Sequence, residues 1–133
     1  MQVFDRTTPF DATVVAAVAA GGALGASGRW LVAWTLDATV GGHQPGTWPW
    51  PTLIANLVGC ALIGLAARHV DRDTTAWAFA VTGVLGGFTT FSALALELND
   101  MADADRLTLA VLYAAVTLAA GVAATAIADR VPP

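Results

Sequence analysis

The chain predicts an all-α integral membrane protein of four transmembrane helices, the third broken near the bilayer midplane. Three observations carry that expectation. Of its 133 residues, 56% are hydrophobic and only 12% charged, with a mean hydropathy of +0.65, which no ordinary soluble domain needs. Four long stretches nearly lack charge, at about residues 12–36, 47–70, 74–98 and 107–128. Each meets the roughly 20 apolar residues required to cross a hydrocarbon layer of about 30 Å. Within the third stretch, residues 82–98 read TGVLGGFTTFSALALEL, with Gly86 and Gly87 at the centre followed by Thr89, Thr90, Phe91 and Ser92. A glycine inside a helix costs about 1 kcal/mol relative to alanine. Backbone freed in lipid costs several kcal/mol unless it lines a cavity, meets protein or binds an ion.

Four helices consume most of the chain, so residues 1–133 form a single membrane domain with short loops and no extramembrane part. The formal charge of −4 lies almost wholly in the gaps between the apolar stretches. There is no lysine and no basic run, which argues against nucleic acid as a partner. The single cysteine, Cys60, forms no internal disulfide and reads as packing. Arg6 is the only positive charge in a lead that also holds Asp5 and Asp11. This is a poor secretory leader, and the first span is expected to be retained.

Residues 1–11 suggest a polar lead along the interface, with Phe4 and Phe10 turned to lipid. The first span carries Gly21, Gly25 and Gly28, a close-packing face. Arg29 follows before the apolar run ends, beside Trp30 and Trp34. It either snorkels to the headgroups within an aromatic belt or stands at the mouth of an anion pathway. The loop after it is Gly-rich, and His43 there is a solvated residue. Trp48-Pro49-Trp50-Pro51 leads into the second span, where proline suits the first helical turn. Asn56 lies deeper in that span, near Gly59 and Gly64. A carboxamide in lipid needs a partner: it glues helices together, or it aims the two donors of its amide at an anion.

In the third span, Gly83 and Gly87 also form a small-xxx-small pair, so close helix packing competes with a break as the reason for the glycines. Glu97 and the acidic residues after it close this span. Tyr113, Thr117 and Gly121 share one face of the fourth span at four-residue spacing, as interhelical bonds or as a polar track. Arg6, Arg68, Arg72 and Arg130 fall on one side of the membrane, and Arg106 with Arg29 on the other. That small bias leans towards cytoplasmic termini without enforcing them, so both orientations are open.

GALGASGRW, TLIANLVG and GVLGGFTTFSAL, with the YxxxT of the fourth span, resemble the Fluc (CrcB) fluoride channels from Gly21 to Gly121. The GGxTTFS element is the specific part. The resemblance implies a passive fluoride-selective channel of the plasma membrane, not an enzyme, that exports toxic fluoride. It implies a subunit that pairs antiparallel with a second copy or a paralogue and encloses two pores. It also implies a structural Na⁺ at the dimer centre, held by the backbone carbonyls of Gly86 and Thr89. Backbone oxygens do suit a hard cation. By motif match, Arg29 stands near the pore entrance and Asn56 and Phe91 line the pore. Thr90, Ser92, Tyr113 and Thr117 lie on or beside its polar track. Phenylalanine suits an anion because its ring edge carries the positive part of the quadrupole.

One position departs from the family pattern: Leu94 stands where a second phenylalanine is usual. Either a homodimer conducts less well, or the chain is a partner subunit that needs a paralogue. A small proton-coupled drug exporter is the remaining alternative. It requires an embedded carboxylate, and the only glutamate is Glu97 at the edge of the third span.

Overall fold

The computed structural model describes residues 11–40 and 46–132. The lead with Phe4 and Phe10, Arg6, and the loop residue His43 lie outside the described residues. Among those described, every regular element is helical. Helix α1 (Ala12–Val40) is opened by Asp11, whose Oδ1 accepts the backbone N–H of Thr13 at 2.8 Å, satisfying one of the orphan donors of a helix start. It runs beyond residue 36 because Thr35 and Thr39 bond their hydroxyls back to Leu31 O (2.9 Å) and Thr35 O (3.1 Å), hiding polarity from an apolar face.

Helix α2 (Trp50–His69) starts after Pro49 with Pro51 in its first turn. Arg68 and His69 occupy its last turn, where positive charge meets the negative end of the helix dipole. The third span, Thr75–Asp103, is built in pieces. Helix α3 (Thr75–Trp77) is capped by the Thr74 hydroxyl, followed by eight π-helical residues (Ala78–Leu85) and α4 (Gly86–Phe88). The chain then leaves helical geometry at Thr89 (φ −78°, ψ 158°) and Thr90 (φ −148°, ψ 126°) before α5 (Phe91–Asp103) resumes. Helix α6 (Leu107–Ala128) completes the bundle. Four segments are therefore long and apolar enough to cross a membrane, and the chain is a multi-pass membrane protein.

The break falls at the middle of the third span, but not on the paired glycines. Gly86 keeps helical angles (φ −64°, ψ −36°), and the interruption lands on the two threonines after them. The glycines serve another purpose. A Cβ on Gly21 would lie 2.9 Å from Val84 N and one on Gly25 2.8 Å from Phe88 N, while one on Gly83 would meet Gly21 Cα at 2.9 Å. One on Gly87 would lie 3.0 Å from Gly22 Cα. Helix α1 and the first half of the third span thus touch backbone to backbone, and this is what small residues permit in lipid. Close packing and a break, weighed as rival explanations of the same residues, are both realised three residues apart.

The other contacts are α2 against α6 and α5 against α6. The buried core sits at one end of the bundle, where Leu53, Leu94, Met101, Ala110 and Tyr113 cluster under Trp48, Leu57, Leu98 and Leu109. Elsewhere large apolar side chains such as Leu24, Leu112 and Ile127 face outward, as lipid-facing surface does. Trp30 and Trp34 stack on the outside at the far end of α1, their ring centroids 6.4 Å apart.

The glycine contact can be tested by position. Gly25→Ala is expected to destabilise the folded protein by about 1–3 kcal/mol, as overpacking does, read as a lower melting temperature in detergent. Gly22→Ala, whose Cβ meets nothing within 4 Å, should leave the melting temperature unchanged. Equal effects would remove the backbone contact as the cause.

Candidate functional site

A broken helix must find new partners for its backbone, and side chains from α1, α2 and the break supply them. Leu85 O accepts both the N–H and the hydroxyl of Thr89, each at 3.0 Å. Asn56, from α2, grips the next residue from both sides. Its Oδ1 accepts Thr90 N–H at 2.8 Å, and its Nδ2 donates to Thr90 O at 3.0 Å. The Thr90 hydroxyl accepts Ala93 N–H at 3.1 Å and so caps α5, with the Ser92 hydroxyl 3.1 Å away. Arg29 reaches from α1 to donate its Nε–H to Gly87 O at 3.3 Å.

Two carbonyls lose their usual donors in this arrangement. In an unbroken helix Gly86 O would accept from Thr90 N–H and Thr89 O from Ala93 N–H. Asn56 takes the first of these donors and the Thr90 hydroxyl the second. Gly86 and Thr89 are the two residues whose oxygens the resemblance assigns to a cation. Neutral, hard carbonyl oxygens freed of their hydrogen bonds match what a hard cation takes.

A groove of about 900 Å³ opens beside the break. Asn56, Cys60, Gly64 and Ala67 of α2 and Thr117, Gly121, Thr125 and, just past its end, Asp129 of α6 line its walls, and Thr89, Thr90, Phe91 and Leu94 close its inner end. At 1.5 Å per residue those helix faces run about 16–18 Å, roughly half of a hydrocarbon layer of about 30 Å. Phe91 is 77% exposed, its ring unburied by its own subunit. Asn56 has spent one amide hydrogen on Thr90, so a second remains for the groove.

Thr117 differs from four other helical hydroxyls. Ser27, Thr35, Thr39 and Thr125 all bond back to a carbonyl of the preceding turn. Thr117 is 6% exposed, yet its hydroxyl makes no hydrogen bond within the chain. The Tyr113 hydroxyl, one turn back on the same helix, makes a side-chain hydrogen-bonding contact with it that falls outside good hydrogen-bond geometry. An unsatisfied buried hydroxyl costs about 1–3 kcal/mol; the oxygen is covered, while the residue forms part of the groove wall.

Four expected pore residues, Asn56, Thr90, Phe91 and Thr117, therefore share one surface. Ser92 lies beside it on the Thr90 hydroxyl, and Arg29 on the other side of the break. Tyr113 lies outside the groove: it is fully buried, edge-on to Trp48 with ring centroids 5.1 Å apart. Its hydroxyl donates to Glu97 Oε2 at 3.0 Å, while the Thr52 hydroxyl bonds Glu97 Oε1. Glu97 is thus an enclosed carboxylate, 9% exposed, and not the solvated end of a span. The only signal for this was that it is the sole glutamate, five residues inside the helix end. Leu94 is 4% exposed, in the same core.

The chain matches the family described as "CrcB-like protein, Camphor Resistance (CrcB)" over residues 16–128. It is 41% identical over 115 residues to a Bordetella petrii protein named fluoride-specific ion channel FluC, covering 84% of each chain. An Agrobacterium fabrum protein of that name is 39% identical over 115 residues, 83% of this chain and 88% of its own. A Nocardia farcinica protein, fluoride-specific ion channel FluC 2, is 36% identical over 125 residues, 89% of this chain and 84% of its own.

Asn56→Ala removes both bonds to Thr90 and leaves a peptide group unpaired in a low-dielectric setting. A loss of about 1–3 kcal/mol is expected, measured as a lower melting temperature in detergent. A stability equal to that of the parent chain would mean that the break holds itself.

Proposed function

The chain belongs to the CrcB family, and on that premise we propose that it is a fluoride-specific channel of the plasma membrane, passing the ion down its gradient. The single observation that carries this reading is Phe91, exposed on the wall of a groove that Asn56, with a spare N–H, and Thr117 also line. Fluoride is small and strongly hydrated, so it leaves water only where donors replace the hydration shell. The amide, the hydroxyl and the positive ring edge each offer partial positive charge without a full cation. Weak, repeated binding of that kind lets an ion enter and leave again. This is transport and not enzyme chemistry.

Two further parts of the reading concern what completes the site. The carbonyls of Gly86 and Thr89 would hold a structural Na⁺, which supplies charge neutralisation for oxygens that the break strips of donors. The second part is a partner subunit, packed antiparallel over the groove. Its support is physical: the spare Asn56 N–H would otherwise face hydrocarbon, where an unsatisfied group is costly, and the Phe91 ring is left unburied by its own subunit. A second copy is the simpler occupant. A paralogue becomes the better one if Leu94, standing where the resemblance implies an aromatic, leaves the homodimer silent.

Liposome efflux of fluoride and of chloride, compared side by side with the purified chain, tests the function. Fluoride efflux well above chloride efflux is expected, and none of either would overturn it unless a co-encoded paralogue restores flux. Phe91→Ile should cut fluoride efflux about tenfold or more with unchanged elution in detergent. One aromatic edge contributes up to about 1.5 kcal/mol, and about 1.4 kcal/mol is tenfold in rate. Undiminished efflux would take the ring out of the pathway.

A further inference from the structure

The groove beside the break ends at the loop between α2 and α3, and its outer mouth has a charged residue to which the pore reading assigns nothing. Among the residues lining the groove only two are charged, Arg72 and Asp129. Arg72 is exposed and lies over the ring of Trp77, its guanidinium carbon 5.5 Å from the ring centroid. A cation within about 6 Å of an aromatic face is held there by the ring quadrupole, so the side chain keeps a fixed place at the rim. Trp77 lines the same groove. Neither Arg72 nor Asp129 forms an ion pair among the described residues.

The other charges near this rim are Asp71 and Asp73, which flank Arg72 in its own turn without pairing with it, and Arg68 and Arg130. The Asp71 carboxylate accepts its own loop's Asp73 N–H at 3.4 Å, and Asp71 O accepts the Thr74 hydroxyl at 2.6 Å. Arg68 donates to Asp129 O at 3.0 Å, which sets a guanidinium beside the one acidic residue in the groove. Arg130 follows Asp129 beyond the end of α6. Asp129 thus has a cation next to it, whereas Arg72 pairs with neither flanking carboxylate and lies over an aromatic face, and all five of its donors stay open to an incoming ligand.

We infer that Arg72, anchored on Trp77, is an anion-capture site at the outer mouth of the groove, which concentrates a small inorganic anion before it moves inward along Thr125 and Thr117 to Phe91. The inference rests on the channel reading and adds to it where the ion is gathered. A unit charge about 6 Å away in water raises local anion concentration about threefold. At about 10 mM salt its field reaches about 30 Å, and at 1 M only about 3 Å. A capture residue therefore has a signature that a structural one lacks: its effect disappears as salt rises.

The test is initial fluoride efflux from liposomes holding the full-length chain, at about 10 mM and again at about 1 M ionic strength, set with a bulky impermeant anion. Arg72→Gln is expected to slow efflux about threefold at low salt and to match the parent chain at high salt. Arg72→Lys should keep the parent rate at both. Asp129→Asn should raise efflux at low salt by a similar factor, a change of sign that no folding defect produces. If Arg72→Gln matches the parent at low salt while the parent conducts, the capture site is wrong and the channel reading stands. A loss that persists at high salt assigns Arg72 to packing and also overturns the inference. A parent chain that passes no fluoride, alone or with a paralogue, removes the channel reading and this inference with it.

Discussion

The structure depends on one constraint: a peptide group that leaves the helical ladder inside a membrane must be bonded again nearby. Thr90 meets it through Asn56, which replaces both the acceptor and the donor lost at the break. Much of the glycine pattern follows from that tie. Asn56 reaches Thr90 only if α2 lies against the break, and Gly59 makes room there, since a Cβ on it would collide with the Thr89 methyl. Arg29 reaches Gly87 O only if α1 comes as near, and Gly21 and Gly25 allow it. The small residues are not a separate feature of the chain. They let two helices approach close enough to repair the third.

The four spans were legible because charge is excluded from hydrocarbon more strongly than any local preference shapes the chain. The position of the break was read less well. Gly86 and Gly87 carry the larger intrinsic helix cost, yet what decides is whether a freed group finds a partner, and the threonines bring hydroxyls that serve Leu85 O and Ala93 N–H. Threonine also favours extended backbone because its branched side chain is stiff. Asn56 was readable only as a choice between glue and donor. The carboxamide has enough hydrogens for both, which composition and spacing cannot reveal. The enclosure of Glu97 was scarcely legible. It depends on Thr52 and Tyr113, 45 and 16 residues away in the chain, and little in the local sequence separates Glu97 from a charge that closes a span. That enclosure also removes the proton-coupled exporter: the only glutamate lies in the core and does not line the groove, where a coupling carboxylate would have to meet its cargo.

The two ends of the molecule differ, and the difference bears on the proposed pairing of two subunits. From Asn56 outward towards Asp129 the groove is open, and its mostly apolar wall (Ile63, Leu118 and Val122 among others) is interrupted by Thr117 and Thr125. In the other direction Tyr113, Glu97 and Trp48 fill the space with a packed core, and an ion moving inward from Arg72 would meet a carboxylate already supplied with two hydroxyl donors. A single chain thus offers a half-length passage of about 16–18 Å that stops near Phe91. In the proposed antiparallel pair the partner's open half faces the opposite surface. With two pores in the pair, each chain's groove would supply the stretch from one surface to its break, and faces of the partner would supply the rest of a hydrocarbon layer of about 30 Å. The exposed Phe91 ring then stands at the junction, the deepest point for an ion entering from either side. There the hydration shell must be replaced most completely, and a ring edge and a spare amide hydrogen do so without trapping the ion as a full charge would. The same geometry explains why the fixed cation lies at the rim: water there screens its hold on the anion.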